Sequence, residues 1–175
     1  MTRNLVTGGC ALIALLATSL PAFAHITLAG PEAPAGSTYR AVLVVGHGCG
    51  TNPTTQLRVQ IPEGFYNVKP MPKAGWELKT VVSPYATPFM NHGTELKEGV
   101  TEISWSGGDL PNEQFDEFVF RGTFGEALEA GTTFFFPTIQ VCGSKEDAWI
   151  DTSGDEEAEM SAPSVTLTES SGHHH

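Results

Sequence analysis

The residue with the most distinctive chemistry is His25, which follows Pro21-Ala22-Phe23-Ala24. Small residues at positions 22 and 24, after a basic Arg3 and a short apolar run, are typical of a signal-peptidase site. Cleavage after Ala24 would make His25 the first residue, with a free α-amine beside its imidazole. The amine and the ring Nδ1 could then close one chelate ring on a metal ion, which an internal histidine cannot do because its nitrogen is an amide.

The nitrogen donors of such a terminus favour copper. An α-amine titrates near ~8 and an imidazole near ~6.5, so both can lose a proton at little cost near neutral pH. Nitrogen ligands in a square-planar arrangement suit Cu(II), which also heads the affinity order of the divalent first-row ions. The alternative is that a histidine stands first by chance. Position alone does not decide between the two interpretations.

A candidate anionic ligand lies in the aromatic segment 115–120, Phe-Asp-Glu-Phe-Val-Phe. In an extended strand Asp116 and Glu117 point to opposite faces. A carboxylate among so many aromatic side chains is expected to be partly buried and therefore to need a partner. That partner is either a bound cation or, more ordinarily, a lysine or arginine.

Two cysteines follow the predicted cleavage site, Cys49 and Cys142. An even pair in an oxidising compartment favours a structural disulfide. Closing so long a loop would stabilise the fold by about 4–5 kcal/mol in the chain-entropy estimate. A metal or redox pair is the alternative, although the Cys-x-x-Cys spacing typical of such pairs is absent from the sequence.

The elements that must position these residues are predicted to be β-strands. The segment 56–61 alternates polar and apolar residues with a period of two, and the run 39–45 is continuously apolar, as in a strand covered on both faces. Further strands are predicted at 76–82, 101–105, 115–124, 133–141 and around Val165 and Leu167. Turn signals separate them, including those at 106–111 and 143–147, and the stretch 125–130 is helix-permissive for barely one turn. This spacing predicts an all-β protein, an antiparallel sandwich or barrel.

The domain organisation predicted from these signals is simple. Residues 1–24 form a cleaved signal peptide, residues 25–167 one β-sandwich domain, and residues 168–175 a disordered polar tail. The tail ends in His173, His174 and His175, either a native metal-collecting tract or part of a purification tag.

The composition narrows the function classes. A formal net charge of −11 argues against binding to nucleic acid or to anionic lipid, and suits a protein that meets cations. The apolar run at 11–20 is too short to span a bilayer, so no membrane insertion is expected after cleavage. We expect a soluble, monomeric, periplasmic protein.

Several short motifs, taken in order, resemble those of the YcnI-like family of exported bacterial copper-binding domains. They are Ala24-His25, LRVQIPEG at 57–64, PMPKAGW at 70–76, WSGG at 105–108, FDEF at 115–118, and Trp149. The resemblance extends from His25 to about Trp149, which is nearly the whole predicted domain.

This resemblance implies a cupredoxin- or immunoglobulin-like β-sandwich that binds one Cu(II) ion through a single-histidine brace. It assigns the amine and Nδ1 ligands to His25, the carboxylate ligand to Glu117, and a position close to the metal to Trp149. The sequence departs from the simplest members at His47-Gly48-Cys49-Gly50, which with Cys142 resembles a branch with an added disulfide. His47 is then either a further ligand or a hydrogen-bonded turn residue.

The predicted function is therefore copper capture, trafficking or delivery, without catalysis. Copper chaperones, transporters or an oxidase-assembly protein are the expected partners. A metal-free adhesion or scaffold domain is the alternative. An oxygenase-like copper enzyme is a third possibility, but such sites generally add an internal histidine, and neither His47 nor His92 lies in a motif that marks it for that role. His92 is expected in a turn.

Overall fold

The computed structural model describes residues 25–155 and 158–170. The predicted signal peptide and the histidine tract at 173–175 lie outside the described residues. Those residues form twelve strands and no helix. The strands are β1 Thr27–Leu28, β2 Glu32–Pro34, β3 Thr38–Val45, β4 Thr54–Gln60, β5 Phe65–Pro70, β6 Glu77–Asn91, β7 Thr94–Leu110, β8 Asp116–Phe124, β9 Thr133–Phe135, β10 Thr138–Cys142, β11 Lys145–Trp149 and β12 Ser164–Thr168. Accordingly, this part of the chain contains no helix long and apolar enough to cross a membrane.

The strands form three sheets, and the fold is the predicted β-sandwich. One sheet has the order β1-β3-β8-β5 and the second has the order β11-β10-β4-β7-β6. The buried faces of both contribute to one hydrophobic core. A small third sheet, β2-β12-β9, contains a parallel pair, β2 with β12, in an otherwise antiparallel structure.

The core follows from the alternation seen in the sequence. In β4, Leu57 and Val59 are fully buried, while Arg58 between them is not. In β8, Phe118 and Phe120 face the core and Glu117 faces outward, as the period of two predicts. The burial of large aromatic side chains supplies much of the hydrophobic stabilisation, at about 25 cal/mol per Å² of apolar surface.

The strand prediction was wrong in several places. Strands β1, β2 and β5 were not predicted, and the predicted strand 133–141 is divided into β9 and β10. Strand β7 continues into the predicted turn at 106–111, and β11 begins inside the predicted turn at 143–147. Strand β7 continues because its glycines form a bulge rather than a turn. Gly107 has a φ of 79°, and the register between β4 and β7 shifts opposite it. Pro137 has no N–H to donate, which explains the division between β9 and β10.

Strands β6 and β7 are longer than the predicted segments 76–82 and 101–105, and β6 contains Pro84 and Pro88. Strand β6 lies at the edge of its sheet, where a proline costs no ladder hydrogen bond on the solvent side. The hairpin turns at His92 and Gly93, both with positive φ, so the expectation of a turn histidine is confirmed.

A pH dependence follows from the buried Tyr39 in β3. Its ring packs on Phe65 and Phe124, its hydroxyl donates to the Gly30 carbonyl, and burial raises the pKa of Tyr39 to about 12. Because the fold favours the neutral phenol, this contribution to stability is complete below about pH 10 and is lost as the pH rises toward about 12.

We therefore expect the free energy of unfolding to decline over this alkaline range, measured by urea denaturation. The Tyr39→Phe variant should decline less and should lack one tyrosinate transition near pH 12 in ultraviolet titration. Identical alkaline profiles for the two proteins would contradict the assignment.

Candidate metal centre

His25 lies just before β1, at an edge of the sandwich, and its ring packs against Trp149 at the end of β11. The ring centroids are 5.6 Å apart and the planes are inclined by 68°, an edge-on arrangement. The indole is 2% exposed, so it forms a fixed wall of the core rather than a mobile surface group. The structure thus brings together two of the predicted site residues that lie far apart in the chain.

The two ring nitrogens of His25 have different environments. Nε2 is buried, and it has no hydrogen-bond partner among the described residues. The imidazole is therefore held there by packing. Nδ1 is the nitrogen that can share a chelate ring with the α-amine. His25 also lines a cleft of about 470 Å³ with residues of β1 and the segment 161–164.

Glu117 lies on β8, two strands away from β1. The register pairs Thr27 with Val44 and Val44 with Glu117, so β3 separates the two strands. Two interstrand spacings amount to about 10 Å, which separates Thr27 from Glu117 across the sheet. His25 precedes Thr27 by two residues, so it is also offset along the strand. The Glu117 side chain is exposed, and the described residues contain no group of three or more His, Cys, Asp or Glu side chains arranged to hold a metal ion. As it stands, the structure does not assemble the complete predicted ligand set.

The neighbouring Asp116 has the ordinary partner considered in the sequence analysis. The Lys73 Nζ lies 2.6 Å from its carboxylate and 3.0 Å from the main-chain oxygen of Glu117. The ammonium also lies 4.9 Å from the centre of the Phe118 ring. Lys73 therefore anchors the first residues of β8. Lys73 lies in the loop between β5 and β6, and nothing in the sequence predicts that it contacts Asp116.

His47 is the second histidine beside Trp149. It follows the end of β3, and its ring centroid lies 6.4 Å from that of the indole at an inclination of 74°. Its Nδ1 is hydrogen-bonded to the main-chain oxygen of Gly48. Trp149 is therefore in edge-on contact with both histidines of this end of the sandwich.

The indole is held by Gln140, a residue that the sequence analysis missed. The fully buried Gln140 accepts a hydrogen bond of 3.0 Å from Trp149 Nε1 and donates to the His47 carbonyl at 2.6 Å and to Thr54 Oγ1 at 2.7 Å. A buried amide with all these bonds made is a rigid support. The available signal was its period-two relation to Cys142, which places a polar residue on the buried face of β10.

The predicted disulfide is confirmed. Cys49 and Cys142 are joined by an S–S bond of 2.09 Å, and both residues are buried. The bond ties the loop after β3 to β10, two residues from His47 on one side and from Gln140 on the other. The metal-pair interpretation of these cysteines is thereby ruled out.

The sheets form a β-sandwich domain of the immunoglobulin-like kind. A crystal structure of an uncharacterized protein from Nocardia farcinica, described as revealing an immunoglobulin-like fold, is similar with a TM-score of 0.61 and 24% sequence identity, over 82% of this chain and 98% of that chain. The sequence profile of a family described as a domain of unknown function, DUF1775, matches residues 25–168, and the chain belongs to this family. No curated protein matches the sequence.

Proposed function

We propose that the protein binds one Cu(II) ion through His25 after cleavage behind Ala24, and that it captures copper in the periplasm or hands it on. The observation that supports this most directly is the packing of the His25 ring on Trp149 with Nε2 turned into the protein. That orientation leaves chelation to Nδ1 and the α-amine. The sequence resemblance to the YcnI-like copper-binding domains points to the same residues.

The donor set fits Cu(II) chemically. An amine and an imidazole nitrogen are borderline donors that suit this ion, and a carboxylate would balance part of its charge. We propose that Glu117 moves toward the ion, or that His25 moves toward β8, when copper binds. Copper would supply a Lewis-acidic, redox-active centre, whereas the protein's own residues bind and orient it.

The surroundings of the site are consistent with export. A buried disulfide persists in oxidising compartments such as the periplasm. The formal charge of −11 attracts cations and disfavours nucleic acid and anionic lipid. Copper chaperones, transporters or an oxidase-assembly protein are the proposed partners of a monomeric carrier, and we propose binding without catalysis.

The proposal is tested by Cu(II) titration of protein that begins at His25, in competition with a chromogenic chelator and with EPR detection. Glu117→Gln keeps the shape of the side chain but removes its charge, so we expect the affinity to fall about tenfold or more. Glu113→Gln, an exposed carboxylate in the loop before β8, is the matched control and should bind as the wild type does.

A metal-free scaffold would give a different result. The protein beginning at His25 would then retain no copper after dialysis, which would overturn the proposed function. Equal affinity in the Glu117→Gln and Glu113→Gln variants would remove Glu117 from the ligand set and leave the proposal for His25 intact.

A further inference from the structure

We propose that His47 supplies a second imidazole to the ion held by His25, with Nε2 as the ligand atom. This inference rests on the proposed copper function and adds a ligand to the same site. Four observations carry it: the strand register, the shared contact with Trp149, the hydrogen bond at Nδ1, and the restraint of the loop that carries His47.

The strand register places His47 closer to His25 than Glu117 is. Strand β1 pairs directly with β3, antiparallel, with Thr27 opposite Val44. Continuing that register pairs His25 with Gly46, the residue immediately before His47. Strand β8, which carries Glu117, lies on the far side of β3.

The shared contact with Trp149 brings the two rings to one group. The centroid of the indole is 5.6 Å from the His25 ring and 6.4 Å from the His47 ring. Both imidazoles meet it edge-on, at 68° and 74°. One buried side chain thus holds both candidate ligands at the same end of the sandwich.

The hydrogen bond at Nδ1 selects the tautomer of His47. The main-chain oxygen of Gly48 can only accept, so Nδ1 must carry the proton in this contact. In the neutral ring the lone pair is then on Nε2. Histidines that ligate metals usually donate their other ring N–H to a carbonyl or a carboxylate, which fixes the ring and raises its basicity. His47 already has this arrangement.

The loop that carries His47 is restrained at several points. Its main-chain oxygen accepts from Gln140, the next N–H donates to Asn112 Oδ1 at 3.2 Å, and Cys49 is bonded to Cys142. A Cβ at Gly48 would lie 1.8 Å from the main-chain oxygen of Asn52, so only glycine fits there. Because the loop is already held in place, little further conformational entropy is lost when a ligand binds, as a preorganised metal site requires.

The resulting set would have three nitrogen donors: the α-amine, His25 Nδ1 and His47 Nε2. Compared with two nitrogens and a carboxylate, these three donors carry less negative charge. The affinities for Cu(I) and Cu(II) should therefore differ less. Glu117 would then be the fourth donor of a square-planar set.

The experiment counts the imidazoles on Cu(II) by pulsed EPR, using protein that begins at His25. We expect two in the wild type, one in His47→Ala and two in His92→Ala, where the exposed turn histidine serves as the matched control. The chelator titration should show an affinity at least about tenfold lower for His47→Ala and unchanged for His92→Ala. His47→Gln, which keeps a polar side chain in the loop, is the second variant if His47→Ala unfolds, and it too should show one imidazole.

The outcomes separate this inference from the proposed function. A single imidazole in the wild type, with His47→Ala binding as tightly, would overturn the role of His47 and leave the proposed function standing. Copper bound through His47 without any need for the α-amine would overturn the proposed function instead. Absence of copper binding at the His25 terminus would overturn both.

Discussion

Protein that retains residues 20–24 ahead of His25 should bind Cu(II) at least about 100-fold more weakly than protein that begins at His25. Loss of a residue that only supports a ligand lowers metal affinity by about 10–100-fold, and here a ligand itself is lost. Extension converts the α-amine of His25 into an amide. One nitrogen donor and the chelate ring are lost together. The imidazole, Trp149 and Glu117 remain in place, so the comparison isolates the amine.

The extension must be long enough to keep its own α-amine away from the copper ion. An amine one or two residues ahead of a histidine would form a new copper chelate with the intervening amide nitrogen, whereas five extra residues place it too far away. Affinity is measured by chelator competition at pH 7, and the EPR spectrum should show coupling to one nitrogen fewer. Protein with the native terminus acetylated is the second comparison and should show the same loss. If either blocked protein binds as tightly as the free His25 terminus, the chelate is not the site.

The double variant Cys49→Ala/Cys142→Ala should have a free energy of unfolding about 2–5 kcal/mol lower than the wild type. The disulfide joins residues 93 positions apart, so its loss releases a long loop in the unfolded chain. Both side chains are buried, so truncation also leaves a small cavity. Guanidinium denaturation followed by tryptophan fluorescence measures the effect.

Chemical reduction of the wild type supplies the control for this variant. Reduced wild type should unfold at nearly the same denaturant concentration as the double variant, because both lose the same crosslink. The loop at His47 loses one of its restraints in both. Unchanged stability on reduction would show that packing around β10 holds this end of the sandwich without the covalent bond.

Much of the fold was available from local patterns. The alternation in the segment 56–61 and the apolar run 39–45 gave β4 and β3, since the period of side-chain burial depends only on local strand geometry. The full length of β6 could not be read from the sequence, because the effect of Pro84 and Pro88 depends on the position of the strand in the sheet. An edge strand tolerates proline and a central strand does not.

The candidate site was only partly accessible to the same reasoning. The chemistry of His25 depends on where the chain is cleaved, which a short linear signal predicts. The partner of Asp116 depends on the path of the loop between β5 and β6, which brings Lys73 to within 2.6 Å of its carboxylate. No spacing rule contains that contact, because it links a loop residue to a strand residue far away in the chain.

The sequence by itself predicted the all-β class, favoured a disulfide between Cys49 and Cys142, and marked His25 as a candidate terminal chelator. These predictions depend on residue types, on short periodic patterns and on the compartment that a cleaved signal peptide implies. The tertiary structure alone decided that His25 and His47 meet the same indole, and that Gln140 holds that indole in place. The reason is that strand order and register bring distant segments together, and both depend on the packing of the whole core.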